Sequence, residues 1–153
     1  MKQKVLSIYI SPMAVKLPIE VESVRAISNI GLEGDRYAKG VGSFTHWPGN
    51  GRNVTLIESE VLNEINHELQ LSAAESRRNI ISQGIKLNDL VGLKFKVGDV
   101  LMYGARLCDP CKELEDRTRK GVLKALVGKG GLRADILSDG IISQNDPISI
   151  IYN

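Results

Sequence analysis

Apolar side chains recur along most of this chain at the two-residue period of strands, and at the helical period in only two places. Residues 5–10 (Val-Leu-Ser-Ile-Tyr-Ile) and 20–27 are rich in β-branched residues and partly alternating. Pro12 and Pro18 separate them, which predicts two strands joined by a loop. From Ile30 to Arg52 the periodicity lapses among Gly31, Gly34, Gly40, Gly42, Gly49, Gly51 and Pro48. A long surface connection is expected there, of the kind that is usually functional or mobile. Arg52 to Ile57 reads as another strand, and Val61, Leu62, Ile65 and Leu69 at helical spacing predict a helix over 59–70. Arg77 to Ile81 reads as a short strand entered by two cations, and Leu87 to Leu90 as irregular chain. Residues 93–97 and 100–107 are the arms of a hairpin with Gly98-Asp99 at its turn. Leu114, Val122, Leu123 and Leu126 fit a helical face interrupted at Gly121, and Gly128 to Gly131 stop it. Two strands, 133–137 and 147–152, end the chain.

Strands therefore outnumber helices and do not alternate with them as a doubly wound sheet requires. The expected fold is mainly β: a closed or nearly closed β-barrel with a few peripheral helices, one domain over residues 1–153. A hydrophobic content of 42% and a charged content of 25% suit a single ordinary core. No apolar run of about 18 residues is present, and Met1-Lys2-Gln3-Lys4-Val5 lacks the apolar stretch of a secretory signal. No membrane and a cytoplasmic location are the expectation. Twenty basic and 18 acidic side chains are interspersed, so no basic face for nucleic acid is evident.

Both cysteines lie in Cys108-Asp109-Pro110-Cys111. In a reducing compartment such a pair points to chemistry or metal binding more than to a structural bridge. Pro110 suits the first turn of a helix, so Cys111 sits where unpaired amides favour thiolate, the form that acts as nucleophile or metal ligand. Cys108 is less well placed and is open to being a small buried apolar residue. A dithiol redox motif needs a βαβ context, and the preceding hairpin argues against one. Zinc lacks ligands, since only His46 and His67 could join the cysteines. His67 reads as a solvent-facing helix residue. His46-Trp47-Pro48 is either a lid element or an ordinary packed loop. Arg77-Arg78-Asn79 offers two guanidinium forks and an amide, an anion grip or else two solvated arginines at a strand entry. Gly31-Leu32-Glu33-Gly34-Asp35-Arg36 is a tight turn or an anion cradle. Gly128-Lys129-Gly130 lacks the spacing and hydroxyl of a P-loop.

Taken in order, Gly31 to Arg36, Arg52-Asn53-Val54-Thr55-Leu56, Arg77-Arg78-Asn79-Ile80, the Gly92 to Asp99 hairpin, Cys108 to Glu115 and Gly130-Gly131-Leu132-Arg133-Ala134 resemble the molybdenum cofactor sulfurase carboxy-terminal (MOSC) domain family over nearly the whole chain. The resemblance implies a β-barrel like that of pyruvate kinase and a pocket for the molybdopterin form of the molybdenum cofactor. It also implies reduction of N-hydroxylated compounds at a cysteine-ligated molybdenum. Cys111 matches the cysteine that binds the metal and serves catalysis. Arg77, Arg78 and Asn79 match the segment near the cofactor's phosphate and pterin, and Gly34-Asp35 matches a turn lining the pocket. Where relatives have Gly-Asp before the last strand this chain has Asn145-Asp146, and Asn tolerates the same left-handed turn. Cofactor sulfurases fuse this domain to a pyridoxal-phosphate desulfurase that does not fit in 153 residues, so a stand-alone, bacterial-type member is expected. With no flavin, haem or iron–sulfur motif of its own, such a reductase needs an electron-donor protein carrying flavin or an iron–sulfur centre. The alternative is a non-enzymatic carrier of the cofactor, or of sulfur as a persulfide on Cys111.

Overall fold

The computed structural model describes residues 2–13, 16–36, 38, 51–110 and 112–152. Two expectations, for Cys111 and for His46-Trp47-Pro48, lie outside the described residues. The strands are β1 (Lys4–Ile10), β2 (Ile19–Val21), β3 (Ser23–Ile27), β4 (Gly31–Leu32), β5 (Val54–Glu58) and β6 (Ile80–Gln83). They continue with β7 (Lys94–Val97), β8 (Val100–Leu107), β9 (Leu132–Ile136), β10 (Gly140–Ser143) and β11 (Ile148–Ile150). The helices are α1 (Ser59–Asn66), α2 (Lys112–Arg117) and α3 (Val122–Ala125), with a 3-10 turn at Leu87–Leu90.

Eight strands form one sheet in the order β11-β7-β8-β9-β5-β6-β1-β2. Its pairs are antiparallel except β5 with β6, which needs a crossover and has α1 in it. The far edge returns to β1: Lys4 bridges Pro147, Val5 N donates to Asp146 O at 2.9 Å, and Ile148 N donates to Gln3 O at 3.0 Å. The sheet thus curls until its β11 edge meets β1, the barrel solution to unpaired edges. A smaller sheet, β10-β3-β4, packs beside it.

Strand alternation sorts the side chains onto two faces. Val54 and Leu56 of β5, Ile80 of β6, and Leu132, Ala134 and Ile136 of β9 turn inward with Ile8, Phe95 and Met102 to make the main core. Ile57 and Ile81 turn outward and meet Val61, Leu62 and Ile65 of α1, Leu114 of α2, and Val122 and Leu126. The helices therefore sit outside the barrel, over β5 and β6.

Several elements differ from the expectation: the strand expected over 20–27 is divided into β2 and β3, and β4 lies at the start of the stretch expected as a connection. The strand expected from Arg77 begins at Ile80 because Arg77 has φ 60°, a left-handed conformation that no strand accommodates. Helix α1 stops at Asn66, and Leu69 N turns back to Ile65 O at 2.8 Å, so Leu69 continues the apolar pattern without continuing the helix. β10 was not anticipated; its partner β3 lies more than a hundred residues earlier. The Asn145 turn forms as expected, with φ 74°.

Candidate functional site

The chain reaches Arg77 through a turn fixed by a reciprocal cap. Ser72 N donates to Glu75 Oε1, and Glu75 N to Ser72 Oγ, both at 3.1 Å. The Ser72 N–H above all, together with the Arg119 guanidinium, holds the Glu75 carboxyl below its ordinary range. The three consecutive polar residues then diverge. Arg77 turns its guanidinium to the 11–16 loop, donating to Lys16 O at 2.9 Å and Ser11 Oγ at 3.2 Å. Arg78 is 7% exposed and donates from Nε to Gly130 O at 2.9 Å and from Nη1 to Ser76 O at 3.0 Å. Its Nη2 is buried with no partner among the described residues.

Asn79 ties three strands together. Its Oδ1 accepts from Thr55 N at 3.0 Å and Thr55 Oγ1 at 3.2 Å, and its Nδ2 donates to Tyr9 O at 3.1 Å. A buried amide so committed to β5 and β1 has little left for a ligand. Gly34, at φ +87°, and Asp35 likewise form a tie more than an open cradle. Asp35 N donates to Leu32 O at 3.0 Å and Arg36 N to Ser11 O at 2.8 Å. The Asp35 carboxylate is fully buried, accepts Ser11 N at 2.8 Å and lies 3.8 Å from Arg36 Nη1. Ser11, at the end of β1, thereby joins the Gly34–Arg36 turn to Arg77.

Cys108 follows β8 directly and is 1% exposed. Its N–H donates to Gly131 O at 2.7 Å. The approach is so close that a Cβ on Gly130 would stand 2.1 Å from Cys108 O, and one on Gly131 1.9 Å from Leu56 O. Only glycine lets these backbones stack. Arg78, bonded to Gly130 O, is consequently a neighbour of the segment that leads into Cys111. Beyond Cys111, Glu115 accepts Gly121 N at 2.9 Å and Leu123 N at 3.2 Å, which folds α2 against α3 and keeps its carboxyl below the ordinary range. Arg119 then reaches Glu75 Oε2 at 2.7 Å and Gln70 O at 3.1 Å, joining the α2 region to the turn that delivers Arg78.

Reasoning from the sequence missed Arg119 with Glu75, and also Arg106 and Arg133, which stand opposite one another on β8 and β9. Strand parity was the available signal for Arg133, which lies between the core residues Leu132 and Ala134; Arg106 shares its parity with Met102 and is brought opposite Arg133 only by the register shift between Gly104 and Arg106. Cys108 is buried, as its apolar reading has it, and His67 is exposed just beyond α1. No group of three His, Cys, Asp or Glu able to hold a metal occurs among the described residues.

The MOSC domain model matches residues 44–149, and the chain belongs to the MOSC domain family. Proteins of this family are generally molybdenum-cofactor-binding. Among solved structures the chain resembles the YuaD protein of Bacillus subtilis, with a TM-score of 0.78, 16% identity, and coverage of 100% of this chain and 98% of that one. It also resembles YiiM of Escherichia coli, with a TM-score of 0.75, 18% identity, and coverage of 100% and 71%. YiiM of Geobacillus stearothermophilus matches with a TM-score of 0.72, 15% identity, and coverage of 98% and 75%. At these identities the likeness is one of fold. No curated protein matches the chain. No described helix is long and apolar enough to cross a membrane.

Proposed function

We propose that this chain binds the molybdenum cofactor through Cys111 and Arg78 and reduces N-hydroxylated compounds. The observation that carries the reading is the buried, unpartnered Nη2 of Arg78, next to the backbone that leads into Cys111. A buried guanidinium donor is costly unless something accepts from it, and the phosphate of a molybdopterin is an acceptor of the right charge. The donor set fits the group as well: a thiolate is a soft ligand suited to molybdenum, and Cys108 is buried, which leaves Cys111 for that role. Arg77 keeps a supporting part, since its guanidinium holds the 11–16 loop, and Asn79 and Asp35 hold the strands and turn around Arg78.

Bound there, the cofactor would supply two-electron oxygen-atom chemistry. The overall reaction takes R–NHOH with two electrons and two protons to R–NH2 and water. The chain's own residues anchor the phosphate through Arg78 and present the Cys111 thiolate. The electrons come from a separate flavin or iron–sulfur protein.

The test is to express the protein, Cys111→Ala and Arg78→Gln in cells that make the cofactor and to measure molybdenum and pterin per chain by mass spectrometry. Wild type should carry both, Cys111→Ala should lose the metal, and Arg78→Gln should lose cofactor as a whole. Cys108→Ser should keep it. Turnover of an amidoxime with an artificial reductant then separates a reductase from a carrier, which would bind tightly without turning over. Wild type that neither carries nor takes up cofactor refutes the proposal.

A further inference from the structure

We infer that Arg119, on the segment between α2 and α3, is a positioning residue for the guanidinium of Arg78, acting through Glu75 and the 72–76 turn. The inference rests on the reading of Arg78 as the phosphate anchor and adds the residue that aims it. A guanidinium is planar and rigid, so fixing two of its nitrogens fixes the third. Arg78 is fixed at Nε by Gly130 O at 2.9 Å and at Nη1 by Ser76 O at 3.0 Å. Where the unpartnered Nη2 lies therefore depends on where Ser76 O is held.

Ser76 closes a single turn: its N–H donates to Ser72 O at 3.0 Å and its Oγ to Ala73 O at 2.6 Å. On either side of that turn Gln70 and Arg77 adopt φ 52° and 60°, a left-handed conformation disfavoured for a residue with a Cβ. A turn bounded by two such residues needs ties from outside to keep one arrangement. Arg119 grips both ends with one fork, donating from Nη1 to Gln70 O at 3.1 Å and from Nη2 to Glu75 Oε2 at 2.7 Å. The other oxygen of Glu75 accepts Ser72 N, and Ser72 O accepts Ser76 N. Hydrogen bonds thus run without a break from Arg119 to Arg78. The segment that carries Arg119 is anchored independently of the turn, by Thr118 Oγ1 to Leu114 O at 2.7 Å and by Glu115, which accepts Gly121 N and Leu123 N.

The test follows the Arg78 Nε–H by nitrogen-resolved NMR in the cofactor-free full chain. Its hydrogen exchange should quicken about fivefold in Arg119→Gln, the upper range for loss of a part-exposed ion pair, while the β9 amides keep their wild-type rates. Glu75→Gln should do the same, and the double variant should exchange no faster than Arg119→Gln, because the two side chains act as one link. Arg119→Lys, which keeps the charge without the fork, should recover part of the effect. In cells that make the cofactor, pterin per chain should fall about fivefold in Arg119→Gln. An unchanged Arg78 Nε–H in a folded Arg119→Gln or Glu75→Gln, a rise matched by the β9 amides, or wild-type pterin content in Arg119→Gln overturns the inference. Wild type that carries no pterin but shows the exchange effects refutes the reading of Arg78 as the anchor and leaves Arg119 in its positioning role.

Discussion

Replacing Asn79 with alanine separates a residue that builds the site from one that binds within it. The side chain is 2% exposed, and its loss leaves Thr55 N and Tyr9 O without their partners at 3.0 and 3.1 Å. Each buried backbone group left unpaired costs about 1–3 kcal/mol, and the vacated amide volume adds to that. A total of about 3–5 kcal/mol is expected, a large part of the roughly 5–15 kcal/mol that holds a domain folded. For a chain of this length the melting temperature should fall by about 10 °C. Urea unfolding of cofactor-free protein is the assay, because it measures the strand ties alone. A loss below about 1 kcal/mol there, together with collapse of cofactor content in loaded protein, would refute the structural assignment and return Asn79 to the ligand.

Gly131→Ala should destabilise the fold by about 3 kcal/mol or more, since φ +103° strains any side chain and its Cβ would stand 1.9 Å from Leu56 O; urea unfolding indistinguishable from wild type would contradict that. Burial holds the Glu58 carboxyl above its ordinary range, against the opposing pull of the Leu87 N–H. The folded state thus keeps a proton that the unfolded chain releases, so this group's contribution falls as pH rises through the folded value. Glu58→Gln should flatten that slope in urea midpoints taken from acid to neutral pH. Glu75 has the opposite sign: held low by Ser72 N–H and Arg119, it contributes above the unfolded value of 4.5 and loses the contribution as pH falls through the folded one. Glu75→Gln should remove that acid-side loss and mobilise the 72–76 turn, read as faster amide exchange at Ser76 and Arg77.

How legible the chain was depended on the range of the interaction responsible. Strands β1, β5, β7, β8 and β9 follow from alternation and from the Gly98-Asp99 turn because their signals are local, and the Asn145 turn followed from one residue's tolerance for positive φ. The Gly130-Gly131 pair could be read only as a helix stop. Its other role, letting the Cys108 and Leu56 carbonyls approach within contact distance, comes from segments far apart in sequence. The three residues Arg77-Arg78-Asn79 looked equivalent as an anion grip. Tertiary contacts divided them into a loop anchor, a buried guanidinium with a donor left over, and a strand tie.

By itself, then, the sequence determined the strand-rich class, the helices near 59 and 114, the pairing of two cysteines at a strand exit and the family resemblance. Each of these rests on side-chain periodicity or on neighbours within a few positions. Closure of the sheet through Lys4 and Pro147, the pairing of Arg106 with Arg133, and the tie of Arg119 to Glu75 were decided by the tertiary structure alone. Burial and pairing between distant segments set the worth of a polar group, and no local pattern records which segments will meet.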